Sequence, residues 1–224
     1  TKGSLILLIS LVSGCGDSTD KTSSVPPEAR VYDGAVAPGQ LVIATRNAAT
    51  TWYIDSRGKP AGYEYDLAQV YAKHLGLKPK FIVKETLDDV FEAIENGEAD
   101  IAAAGLTVTP VRAANYLVGP RYFEIHQELV CHREGVQPQE YEELVDIELM
   151  IIKGSSYSER LKEIRQAHSP ELQWKESTRF STEELLDKVA NKKIDCTVAD
   201  SNIVKINRRI FPELSVSMKL TENQ

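Results

Sequence analysis

From Leu41 onward, short apolar runs alternate with longer segments whose apolar residues recur at helical spacing. The runs LVIAT (41–45) and KFIVK (80–84) predict buried strands. Between them, YDLAQVYAKHLG (65–76) predicts a helix with Leu67, Val70, Tyr71 and Leu75 on its inner face and Gly76 as its stop. TLDDVFEAIENG (86–97) predicts a second helix, with Thr86 and Asp89 spaced as an N-terminal cap and Gly97 as its end. DIAAAG (100–105) then reads as another strand. Further on, ELMIIKG (148–154) predicts a strand, and SSYSERLKEIRQAH (155–168) a helix opened by Ser155 or Ser156. SNIVKINRRIF (201–211) predicts a helix after Asp200, and LSVSMKL (214–220) a last strand. Strands alternating with helices at this spacing imply βαβ units and a parallel sheet.

The pattern occurs twice. Thr86–Gly105 aligns without a gap on Ser181–Asp200, at a constant offset of 95 residues. Asn96 falls on Asn191, Asp100 on Asp195 and Ala104 on Ala199, and Val90 and Phe91 fall on Leu185 and Leu186. This predicts two α/β lobes built on one plan, residues 39–132 and 133–224. Ligands of such sheets bind beyond the carboxyl ends of the strands. Those ends are Gly105 with the residues after it, and Asp200.

Residues 1–38 follow another pattern. Lys2 precedes an apolar run from Leu5 to Val12, then small residues up to Cys15. The run is too short to span a bilayer and has the layout of a signal peptide. Residues 16–38 are rich in serine, threonine, proline and charge, the composition of a disordered tether.

Composition narrows the partners. Among 224 residues, 42% are hydrophobic and 26% charged, an ordinary globular balance. A net charge of −7 argues against nucleic acid and anionic lipid as electrostatic partners. No Cys or His pair has metal-ligand spacing, so neither metal nor cofactor is expected. Cys131 and Cys196 each lie in an apolar strand-like run, which favours two buried thiols, although an oxidising compartment permits a disulfide.

Several residues carry candidate chemistry. Arg112 follows a strand end and a Thr-x-Thr-Pro turn, where Gly105, Thr107 and Thr109 also lie. Its guanidinium suits a carboxylate clamp, or else it is a solvated surface charge. Gly154, Ser155 and Ser156 offer N–H groups and hydroxyls to an anion, or simply cap a helix. Asp200 suits an ammonium, or caps the helix after it. Trp52 and Tyr53 wall a pocket or fill a core. One arginine, one helix end and one aspartate together describe an amino-acid cleft divided between two lobes.

The stretches GKPAGYEYDLAQVYAKHLGLKPKF and LDDVFEAIENGEADIAAAGLTVTPVRAANYLVGPRYF resemble the family 3 solute-binding proteins. That resemblance implies a type 2 periplasmic-binding-protein fold, two lobes with a hinge and an interlobe cleft. It assigns the α-carboxylate to Arg112, the α-ammonium to Asp200 and an anion contact to Gly154–Ser156. NYLVGPRYFEIHQELVCHR, LLDKVANKKIDCTVADS and FPELSVSMKLTENQ are more similar to the N-terminal domain of the F-type membrane-bound lytic murein transglycosylases. There the domain precedes a catalytic one and is thought to sense amino acids or peptidoglycan-derived peptides. LVSGC, with Cys15, resembles a bacterial lipobox, which implies a lipid anchor; Gly16 resembles the sorting pattern for the periplasmic face of the outer membrane. Two departures stand out. NAATTWYI replaces the aromatic-proline turn of transport receptors, and the chain is expected to stop before the C-terminal return to the first lobe. Glu176-Ser177 imitates the catalytic Glu-Ser pair of such lyases, but no Gly-Leu-Met-Gln stretch follows it. The alternative expectation is an amino-acid receptor of an ABC importer.

Overall fold

A computed structural model describes residues 36–224. The signal peptide expected at 1–15, Cys15 and nearly all of the expected tether lie outside the described residues.

The elements follow in the order β1 (Gln40–Arg46), β2 (Tyr53–Ile54), β3 (Pro60–Ala61), α1 (Tyr63–His74), β4 (Lys78–Lys84), α2 (Leu87–Glu95), β5 (Ile101–Ala102) and α3 (Pro110–Asn115). Then come β6 (Gln127–His132), a 3-10 turn (Tyr141–Leu144), β7 (Met150–Ile152), α4 (Ser156–Ala167), β8 (Lys175–Ser177), α5 (Thr182–Ala190), β9 (Cys196–Asp200), α6 (Ser201–Asn207) and β10 (Leu214–Lys219).

In the first lobe β1 is the centre of a parallel sheet ordered β4-β1-β5. Its side chains alternate between two helices, as a strand requires. Leu41 and Ile43 pack with Ala68 and Ala72 of α1. Val42 and Ala44 pack with Val90 and Ala93 of α2. The face of α1 differs from expectation: Leu67, Val70 and Tyr71 are 40%, 66% and 46% exposed. Its inner face is Glu64, Ala68 and Ala72. Leu41, Ile43, Leu77 and Phe81 already fill the space beside the sheet, so the helix sits close on alanines. Gly62, at φ 139, makes the approach possible: a Cβ there would meet the Thr51 carbonyl oxygen at 2.2 Å.

The second lobe is mixed rather than parallel. β6 runs antiparallel to both β10 and β9. β7 pairs parallel with β8 and touches β9 through a Leu149–Cys196 bridge. β6 lies within the residues expected for the first lobe, yet it is hydrogen-bonded into the second sheet. Cys131 and Cys196 face each other in the β6–β9 register with Cα atoms 4.3 Å apart. They are joined as a disulfide, not held as the two buried thiols that apolar context favoured. Register decides this, and apolar context does not carry register.

The chain crosses between lobes before β6, and the segment after β10 runs back beside that crossing. Ile125 and Gln224 exchange both backbone hydrogen bonds, at 3.1 and 2.8 Å.

Candidate functional site

Arg112 sits on α3, a helix of one and a half turns where the sequence suggested only a turn. Thr109 caps it, its hydroxyl accepting from the Arg112 N–H at 3.2 Å, and Pro110 occupies the first helical position. The arginine is 8% exposed, so the surface-charge reading is excluded. One guanidinium nitrogen donates to the Thr107 carbonyl at 3.0 Å, and another crosses the cleft to the Gly154 carbonyl at 3.1 Å. Its Cζ lies over the Phe91 ring, 5.2 Å from the centroid. Burial depresses its pKa, and Glu159, Asp200 and Tyr157 on the facing lobe oppose that. Five N–H donors on a guanidinium leave three beyond the two carbonyl bonds.

Asp200 ends β9 at 7% exposure. It occupies the N-cap position of α6 without making a side-chain cap bond, so capping is not its role. Its Oδ1 is buried and lacks a hydrogen-bond partner. Burial raises its pKa to about 7, against the Tyr157 hydroxyl, Arg112 and His126. Tyr157 also fixes the backbone, accepting from the Asp200 N–H at 3.2 Å. Beside it, Gln127 Nε2 donates to the Ser156 hydroxyl at 3.1 Å while Gln127 Oε1 is unpartnered.

Ser155 is the N-cap of α4, but its hydroxyl donates backward to the Ile152 carbonyl at 2.6 Å. The first turn of α4 thus keeps its N–H groups clear of the cap side chain. Gly154 precedes it at φ 70, and a Cβ there would stand 2.5 Å from Asp88 Oδ1 of the other lobe. Lys153 pairs with the same carboxylate at 3.0 Å.

The structure therefore brings Arg112, Thr107, Gly154, Ser155, Ser156 and Asp200 to one interlobe boundary. Among the described residues no hydrogen bond or ring contact joins Trp52 or Tyr53 to that group. Trp52 is half-buried in bridges to Asn47 and Ala48, and Tyr53 is 37% exposed on β2. Gly105 is held within the first lobe: its N–H donates to Glu64 Oε2 at 2.8 Å. Glu176 of the imitation pair lies in β8, accepting from the Ser158 hydroxyl at 2.6 Å and from Trp174 at 3.1 Å.

Sequence reasoning missed Glu64, Tyr122, Tyr157 and Arg46. Glu64 is 5% exposed, and the Tyr122 hydroxyl donates to its second oxygen. Burial raises its pKa. Arg46 ends β1, so the strand-end rule that singled out Gly105 and Asp200 applied to it equally. Two surface hollows lie elsewhere. One is beside the end of α1, at Val70, Lys73 and Pro79, and one beside the crossing, at His126, Asn202 and Arg208. Among the described residues no group of three or more His, Cys, Asp or Glu is placed to hold a metal ion.

Comparisons with known proteins bear on the family and the fold. The sequence profile of the bacterial extracellular solute-binding proteins, family 3, matches residues 41–168. The membrane-bound lytic murein transglycosylase F of Maricaulis maris (strain MCS10) is 37% identical over 223 residues, covering 98% of this chain. The chain spans 47% of that relative's length. An ancestral arginine-binding protein bound to arginine superposes with a TM-score of 0.71 at 23% identity, covering 81% of this chain and 79% of that one. A histidine kinase sensor domain with similarity to periplasmic binding proteins gives a TM-score of 0.69 at 19% identity, covering 83% and 79%. The fold is the type 2 periplasmic-binding-protein fold.

Proposed function

Because the chain belongs to the bacterial extracellular solute-binding proteins, family 3, we propose that its lobes close on a small zwitterion, an amino acid or a peptidoglycan-derived peptide. Arg112 takes the carboxylate, with Thr107, Gly105 and the Ser155–Ser156 helix end around it. Asp200 takes the ammonium, and Trp52 and Tyr53 flank the approach. One observation carries this reading. A guanidinium and a carboxylate, both more than nine-tenths buried, come from opposite lobes and sense each other's charge, yet no ion pair joins them. A zwitterion supplies the opposite charge to each, and gains both bonds only when the lobes are together.

The relatives named as murein transglycosylases support a regulatory reading of the same cleft. In it, ligand closure biases a catalytic domain C-terminal to this segment, in a periplasmic protein held by lipid on Cys15 at the outer membrane. The arginine-bound neighbour favours a second reading, an import receptor. The coding sequence after Gln224 separates them: a lyase continues into a Glu-Ser motif, a receptor stops within a few dozen codons.

Thermal shift and calorimetry on the full-length protein test the cleft, with alanine, glutamate and a disaccharide tetrapeptide as probes. A carboxylate-bearing probe stabilises the protein, and Arg112→Ala weakens its binding about a hundredfold, the usual loss when a buried charge pair is truncated. An unchanged shift in Arg112→Ala refutes the clamp.

A further inference from the structure

Among the described residues four buried side-chain polar atoms lack a hydrogen-bond partner: Arg46 Nε, Gln127 Oε1, Glu183 Oε1 and Asp200 Oδ1. Buried polar atoms are nearly always bonded in native folds, so each exception points to a missing partner. Gln127 and Asp200 are direct neighbours across the β6–β9 pair and belong to the ammonium side of the cleft. Arg46 and Glu183 remain unassigned.

Arg46 is the last residue of β1 in the first lobe, and Glu183 lies in the first turn of α5 in the second. Burial depresses the Arg46 pKa, and Tyr157, Glu183 and Glu64 counter it through charge alone. Tyr157 is the residue that also holds Asp200, so this second set adjoins the first. Glu64 is occupied by Gly105 and Tyr122. Neither Arg46 nor Glu183 makes a side-chain hydrogen bond or ion pair within the described residues.

We propose that Arg46 and Glu183 form a second zwitterion subsite, which takes an ammonium–carboxylate end of a ligand whose other end occupies Arg112 and Asp200. The inference rests on the ligand cleft proposed above. A cationic donor and an anionic acceptor from opposite lobes match a group that brings an acceptor and a donor together. An apolar end leaves both atoms unpaired. A lone carboxylate satisfies Arg46 and confronts Glu183 with like charge, and a lone ammonium does the reverse. A neutral amide meets both, but without charge on either bond, and charge-assisted bonds are about twice as strong. The favoured ligand is therefore an amino acid, or a peptide ending in one, with a second amino-acid head at its far end.

Calorimetry on the full-length protein tests this with four amino acids of similar length that differ at the far end. They are 2,6-diaminopimelate (both charges), 2-aminopimelate (carboxylate), lysine (ammonium) and norleucine (neither); the amide of 2-aminopimelate is the neutral control. The expected result is that 2,6-diaminopimelate binds at least tenfold tighter than each of the others. Arg46→Gln and Glu183→Gln each remove that margin while leaving norleucine affinity unchanged. Equal affinity for norleucine, or for the amide, overturns the second subsite and spares the first. A uniform loss for every ligand in Arg46→Gln also overturns it, because Arg46 would then act only in holding the lobes together. If none of the five binds, the cleft reading fails and the second subsite fails with it.

Discussion

Residues 86–105 and 181–200 run the same local programme and finish with opposite chemistry. Both helices open with a reciprocal capping box, Thr86 with Asp89 and Ser181 with Glu184. Both end at an asparagine, Asn96 and Asn191, and the next residue turns left-handed, Gly97 at φ 68 and Lys192 at φ 55. Asp100 then accepts from the Val42 N–H at 2.8 Å, and Asp195 from the Glu148 N–H at 2.7 Å. Asp100 ties its unit to β1, and Asp195 ties its unit to the segment just before β7. After that the units part. β5 is a two-residue, half-buried edge that leads to a backbone N–H at Gly105 and on to Arg112. β9 is fully buried over Cys196–Asp200, bridged to β7 and disulfide-linked to β6, and it ends in a carboxylate. The repeated unit brings a chain segment from each lobe to the interlobe boundary; in the proposed cleft, the residue placed there decides which charge it receives.

The disulfide offers the strongest way to break the likeness. It closes a separation of 65 residues in the second lobe and has no counterpart in the first. Replacing both cysteines by serine should cost about 4 kcal/mol by loop entropy. Hydrogen exchange should show β9 losing protection while β1 and β5 keep theirs; equal loss in both lobes would mean that they do not unfold separately.

Asp200 comes next. Its pKa lies near 3.8 in the unfolded chain and about 7 when folded. Between those values the native state holds a proton that the unfolded state has lost, so this group's contribution falls as pH rises from ~4 to ~7 and is constant above. Asp200→Asn should match the parent at pH 3 and exceed it at pH 8 by roughly 2–4 kcal/mol. Denaturant melts across that range check the slope, and a parent curve as flat as the variant's would exclude the raised pKa. The gain should come with loss of ligand binding, the usual exchange at a functional site.

The smallest test makes the units more alike. Lys192 is the only non-glycine residue with positive φ among those described. Lys192→Gly places in the second unit the residue that the first already has, and should stabilise by up to about 1 kcal/mol. A lower melting temperature would show that the Lys192–Glu134 ion pair at 2.9 Å outweighs the backbone.

What the sequence made legible follows the same division. The capping boxes, the helix stops and the strand end at Asp200 are written in residues close in sequence and could be read; the strand expected up to Gly105 stops at Ala102. The inner face of α1 could not be read, because it depends on what Leu41, Ile43 and Phe81 leave vacant from elsewhere in the chain. Nor could the Cys131–Cys196 bond, which depends on the antiparallel register of β6 with β9. Arg112 was found from its turn, but its reach to Gly154 exists only once two lobes meet. Arg46 was passed over although it stands at a strand end, because a lone arginine after LVIAT looks solvated until Tyr157 and Glu183 arrive from the other lobe.

The pairing of Ile125 with Gln224 bears on how such a cleft can move. A single connecting strand can swivel, twist and bend. Two antiparallel passages pinned by a mutual pair of hydrogen bonds make a ribbon, which resists twisting and flexes about one axis. In the closure proposed above, that ribbon favours bending over twisting. If a ligand draws Arg112 towards Asp200 as proposed, it sets chiefly an angle between the lobes, because twisting is resisted at the ribbon.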